Sequence, residues 1–207
     1  MDTSCLHRRW TEFTGSLGIG SASPGWLLLD AGYSAPNRCY HGWSHIHDCL
    51  TKFDELRELA KEPVSIEAAI WFHDAVYDSK RNDNEEMSAQ LALSCLRGSV
   101  VADRAADLIR ATSHKVIAVT QDAALLCDID LSVLGADPER YNLYAEAIRK
   151  EYSWVSAEDY RAGRTQVLKS FLSRPSIYST SPCRQRWEIQ ARLNLDRELQ
   201  SLAVLES

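Results

Sequence analysis

The chain has 207 residues, 45% of them hydrophobic and 25% charged, with a formal net charge of −6. That length is ample for a core and suits a single domain with room for a helical appendage. The acidic balance argues against electrostatic docking on long nucleic acid or on an anionic membrane, although a bound metal ion can supply local positive charge where phosphate is handled.

Hydrophobic spacing is helical nearly throughout. Leu6, Trp10, Phe13 and Leu17 fall at helical steps, and Gly18 with Gly20 ends that segment. Pro24, at a first helical position, opens a short helix over WLLLDAGY, and SAPNR at 34–38 reads as a loop. A helix is expected from about His41 to Ala60, broken by Lys61-Glu62-Pro63. Ser65 starts the next, with Ile66, Ile70, His73 and Tyr77 on one side. SKRNDN at 79–84 is a charged connector. The helix NEEMSAQLALSCL follows it and closes at Gly98. VVADRAADLIRATSH and DAALLCDIDLSVLG are two more helical segments, the second stopped by Gly135. Further helices are expected from Asp137-Pro138 to Trp154, from Ala157 to Leu172 and from about Arg184 to Leu202. Few stretches alternate like strands, so the class is all-α. The expectation is one domain over 1–207, with a core at about 36–135 and a helical C-terminal extension over 137–205.

The six cysteines, at 5, 39, 49, 95, 127 and 183, form no CxxC pair. The segment MDTSCLHRRW has no apolar leader character, and no window approaches about 18 consecutive apolar residues. These features point to free thiols, a cytoplasmic location and no membrane partner.

The chemistry concentrates in the doublet His73-Asp74 of AAIWFHDAVYD, with His45 upstream in YHGWSHIHDCL and Asp130 downstream in CDIDLSVLG. Two imidazoles and two carboxylates can surround one divalent cation and leave positions open for water and substrate. An unpaired carboxylate in an apolar helix costs several kcal/mol, so Asp74 needs a cation or, failing that, an arginine. His41 and His45 are four apart and on a helix would share a face, whereas His47 points elsewhere. Asp128 and Asp130 compete for the last ligand position, since a helix would not present both to one metal.

The ordered set of one histidine, the doublet and a later aspartate resembles the HD superfamily of metal-dependent phosphohydrolases. YHGWSHIHDCL is similar to the tyrosine-histidine-asparagine motif of class I cyclic-nucleotide phosphodiesterases, and CDIDLS to their cysteine-alanine-aspartate-leucine-serine motif. RCYHGWSHI, WFHDAVYD, NEEMSA and DIDLSVLGA together resemble an uncharacterised bacterial branch of predicted HD phosphohydrolases, as do IRKEY, GRTQVL and SIYST. The resemblance implies an HD-type helical bundle with added C-terminal helices. It implies metal ligation by His45, His73, Asp74 and Asp130, which favours Asp130 over Asp128, and a general-acid role for His41. Two features limit the transfer: glycine, not asparagine, follows His41, and the phosphodiesterases' extended nucleotide-binding region has no counterpart. Cyclic-nucleotide specificity is therefore not implied.

The expected activity is hydrolysis of a small phosphomonoester, phosphodiester or nucleotide by a metal-activated water. The cation would be one of Mn, Fe, Co, Ni, Zn or Mg, with a second left open. Glu85 is the expected orienting carboxylate and Glu86 the runner-up; adjacent helical positions face about 100° apart, so only one points inward. Arg38 and His114 are candidate substrate-binding residues, and the resemblance implies that Arg149 and Tyr152, with Arg164, line the pocket; a homo-oligomer stays open. Two other classes compete. A di-iron oxygenase on this fold would need more histidines between the doublet and the last aspartate than His114 alone, and a nucleotide-binding module without catalysis could use the same scaffold.

Overall fold

The computed structural model describes residues 3–19, 23–114 and 119–204. Among these it has ten α-helices and no strand, the all-α class expected. Gly20 and residue 205, both named in the expectations above, lie outside the described residues. The chain divides into two compact units, Met1–Leu126 and Cys127–Ser207.

The first unit contains α1 (Ser4–Ser16), α2 (Ser23–Tyr33), α3 (Trp43–Leu56), α4 (Pro63–Phe72), α5 (Asn84–Cys95) and α6 (Ala102–Ala111), and the greater part of α7 (Gln121–Asp130). Its centre is α4. The run PVSIEAAIWF is apolar on every side, and eight of its ten residues are buried, as expected of a helix surrounded by others. Helices α3, α5 and α6 pack on it, and Trp10 of α1 meets Trp71 and Phe72 edge-on. Its one buried acid, Glu67, accepts from Arg9 at 2.9 Å and from Arg57 at 3.0 Å. The end of α1 follows the expected glycine stop: Gly18 has φ +69°, Gly18 N donates to Gly15 O and Ile19 N to Thr14 O.

Two boundaries differ from expectation in ways that shape the site. The helix expected from His41 begins at Trp43, because Gly42 is extended (φ −118°, ψ −166°). The doublet helix starts at Pro63 rather than Ser65 and stops at Phe72, with His73 as its C-cap. Residues 74–78 leave the helix as a strap, so Tyr77 is not on the face that carries Ile66 and Ile70. Bonds distant in sequence hold that strap. Ser88 Oγ accepts from Val76 N and donates to Val76 O, and the Asn84 amide pairs with both backbone groups of Asp78.

The second unit holds the end of α7, a 3₁₀ turn at Leu131–Gly135, and α8 (Pro138–Glu151), α9 (Ala157–Leu172) and α10 (Ser181–Val204). Helix α10 packs on the 3₁₀ turn, where a Cβ on Gly135 would stand 2.5 Å from that of Trp187. Asn194 donates to the carbonyls of Leu134 and Ala136. Arg164 forms a bidentate pair with Glu198 (2.8 and 2.9 Å), and Tyr141 donates to the same carboxylate. Among the described residues no helix is long and apolar enough to cross a membrane.

Candidate metal centre

The amphipathic helix α3 turns His45, Ile46, Cys49, Leu50 and Phe53 inward. Helix α4 ends against it and delivers His73 at its C-terminus, where unpaired carbonyls favour positive charge. His45 and His73 are 3% and 2% exposed, and their Nε2 atoms approach to 3.1 Å. Asp74 Oδ2 stands 3.5 Å from His45 Nε2 and 3.3 Å from His73 Nε2. Cys49 Sγ lies 3.7 Å from His45 Nε2, and the donor atoms of His45, Cys49 and His73 all fall within 4.8 Å of one another.

Those spacings fit shared coordination. Two ligands about 2.1 Å from one cation, at about 90–109°, stand about 3.0–3.4 Å apart, close to the nitrogen–nitrogen and nitrogen–oxygen separations here. His73 Nδ1 lies 3.0 Å from the Ile70 carbonyl. A proton donated there leaves the Nε2 lone pair directed at the cluster, the usual outer support of a ligating histidine. Burial would raise the pKa of Asp74, but while His73 is protonated at Nε2 its charge and hydrogen bond, with the charges of His41 and His45, outweigh burial and hold the carboxyl below the usual range; a bound cation would stand in place of that proton. The buried His45, Cys49 and His73 donors, with the Asp74 carboxylate against both histidines, are thus able to coordinate one divalent metal ion, which supports metal-dependent catalysis in general terms.

His41 is close by, but not as expected. It precedes α3 and does not share a helix face with His45; their ring centroids are 6.1 Å apart. Its ring stacks on Tyr77 (4.0 Å, 24°) and meets Tyr40 edge-on at 4.9 Å. His47 is exposed, as expected of the H-x-H partner. Arg38 donates through Nη1 to His41 O (3.2 Å) and Asp74 O and through Nη2 to Ala75 O (2.8 Å). It therefore ties the turn before α3 to the strap that carries Asp74. Gly32 lets α2 come this close, since a Cβ there would lie 2.6 Å from Ala75 O. Of the acidic pair opening α5, Glu86 is bound to Arg110 at 2.7 and 3.2 Å, while Glu85 is half-buried.

The chain matches no family model, no curated protein and no solved structure.

His114 follows α6 with φ +53°, in the left-handed region. Asp130 is the last residue of α7 and belongs to the second unit. Its rival Asp128 accepts from Ser179 N, Thr180 N and Thr180 Oγ1, each at 2.7 Å, at the entrance to α10. Arg149 donates to the carbonyls of Tyr152 and Val155 and covers the Tyr160 ring, with Tyr152 capping α8. Arg164 is buried and paired with Glu198 at 2.8 Å. Cys49 was not among the expected ligands. Its signal was the His45–Cys49 spacing of four within α3, the same spacing that His41–His45 displays without the helix.

Proposed function

We propose that the protein is a metal-dependent phosphohydrolase of the HD type acting on a small phosphorylated substrate, a phosphomonoester, phosphodiester or nucleotide. The observation that carries this reading is the convergence of His45 Nε2 and His73 Nε2 at 3.1 Å with Asp74 Oδ2 against both. Asp130 is the proposed further ligand. A bound divalent cation supplies acidified water and polarisation of a phosphoryl oxygen.

The chain's own residues do the rest. His41 donates a proton to the departing oxygen, a task suited to an imidazole near neutral pH. Tyr77 and Tyr40 set the plane of its ring, and Arg38 fixes its backbone relative to Asp74. Glu85 orients the attacking water or His41, because Glu86 is engaged by Arg110. Arg38 serves as a brace here, with His114, Arg149 and Tyr152 as proposed contributors to substrate binding. The reading includes a cytoplasmic setting.

A panel of phosphomonoesters, phosphodiesters and nucleotides, assayed with the metal-loaded protein and with Asp74→Ala, tests the activity. Metal-dependent release of phosphate or a nucleotide by the wild type, abolished in the variant, is expected. A folded, metal-loaded wild type inert across the panel contradicts it.

A further inference from the structure

Cys49 follows His45 by four residues on α3, so both side chains leave one helix face a turn apart. A buried cysteine is ordinarily a small apolar group. This one, 2% exposed, instead has its sulfur 3.7 Å from the very nitrogen of His45 that approaches His73. A nitrogen and a sulfur bound to one cation at about 2.05 and 2.3 Å stand about 3.1–3.5 Å apart at angles of about 90–109°, and the observed 3.7 Å is slightly longer than that. The sulfur is also 3.8 Å from His45 Nδ1, so it approaches the ring beside the carbon between the two nitrogens.

We infer that Cys49 is a thiolate ligand of the metal centre and sets its metal preference. On binding, the sulfur gives a lone pair to the cation and its proton passes to solvent, with no change in oxidation state. A thiolate beside two imidazoles favours zinc, cobalt or iron(II) and disfavours magnesium, which takes oxygen ligands in near-ideal octahedra. This rests on the metal-centre reading above and narrows the metals compatible with it.

Cobalt(II) titrated into the full-length wild type and into Cys49→Ser and Cys49→Ala tests the assignment. The near-ultraviolet spectrum and the bound cobalt are read together, with and without a large excess of magnesium. The wild type is expected to bind cobalt with a thiolate-to-metal charge-transfer band that magnesium does not erase. Both variants are expected to bind cobalt more weakly and to lack the band. Cobalt bound by the wild type without the band, the same band in Cys49→Ser, or displacement by magnesium overturns the assignment. Failure of the wild type to bind cobalt at all overturns the metal centre itself, so the two failures are distinguishable. The wild-type spectrum decides the matter even if a variant does not fold.

Discussion

Two glycine-to-alanine substitutions, chemically identical and both within helices, are expected to have opposite effects. Gly163 lies inside α9, and a Cβ there meets nothing within 4 Å. Gly163→Ala removes unfolded-state freedom and should stabilise by up to about 1 kcal/mol. Gly32 lies at the end of α2, where a Cβ would stand 2.6 Å from the Ala75 carbonyl oxygen and 3.5 Å from Arg38 Nη2. The nearer atom is backbone and cannot rotate away. Overpacking of this kind costs about 1–3 kcal/mol, against the same helix gain of up to about 1 kcal/mol. Gly32→Ala should therefore be destabilised by about 1–2 kcal/mol, lowering its Tm by about 2–8 °C for a chain of this size. Because Ala75 follows Asp74, the same substitution should also weaken metal binding, which Gly163→Ala should leave alone. Thermal melts by circular dichroism, paired with metal titrations, measure both effects. A Gly32→Ala protein as stable as Gly163→Ala, with unchanged metal affinity, would refute the account of how α2 and Arg38 hold the strap.

Other substitutions separate structural acids from the metal centre. Asp128→Ala removes an acceptor from three 2.7 Å hydrogen bonds at the start of α10 and should cost about 2–4 kcal/mol in denaturant unfolding, with metal content retained. Loss of metal in that variant would mean that Asp128 has been misassigned. His41→Ala should bind metal normally and lose about 10²–10⁴-fold in turnover of any substrate found; a variant that keeps full turnover removes His41 from the chemistry. Glu188 supplies a pH-dependent case. Burial pushes its pKa up, but bonds from Ile177, Tyr178, Ser176 and Arg192 outweigh this and hold it below the ordinary value. Its stabilising effect is full above the unfolded carboxylate pKa of about 4.3 and is lost as pH falls through the lower folded value. The Tm gap between wild type and Glu188→Gln should accordingly shrink as pH drops from about 5 towards 3, and a gap that widens on acidification would contradict the sign.

Much of the helical order was legible because local signals set it. Ser156 caps α9 by accepting from Asp159 N, and the expected span of Ala157 to Leu172 is the one observed. The apolar run around Ile66–Phe72 identified the central helix, and the doublet at its end identified the site. What the sequence concealed depends on partners far along the chain. WFHDAVYD keeps helical spacing, yet the helix ends at Phe72, because Arg38, Asn84 and Ser88 bind the backbone of the strap that follows. Asp128 and Asp130 look alike in CDIDLS, and nothing local shows that Asp128 accepts from Ser179 and Thr180, about fifty residues later. The spacing of four did not give His41 and His45 a common helix face: Gly42 takes His41 out of the helix, while His45 and Cys49 share its buried face.

The central claim is that His45, His73 and Asp74 hold a catalytic cation, and elemental analysis of gently purified protein tests it most directly. The measurement is made on the wild type and on the double variant His73→Ala/Asp74→Ala, both before and after reloading with divalent metals. The account predicts about one metal per wild-type chain and its loss from the variant. A wild type that holds no metal even after reloading, or a variant that holds as much as the wild type, would contradict it.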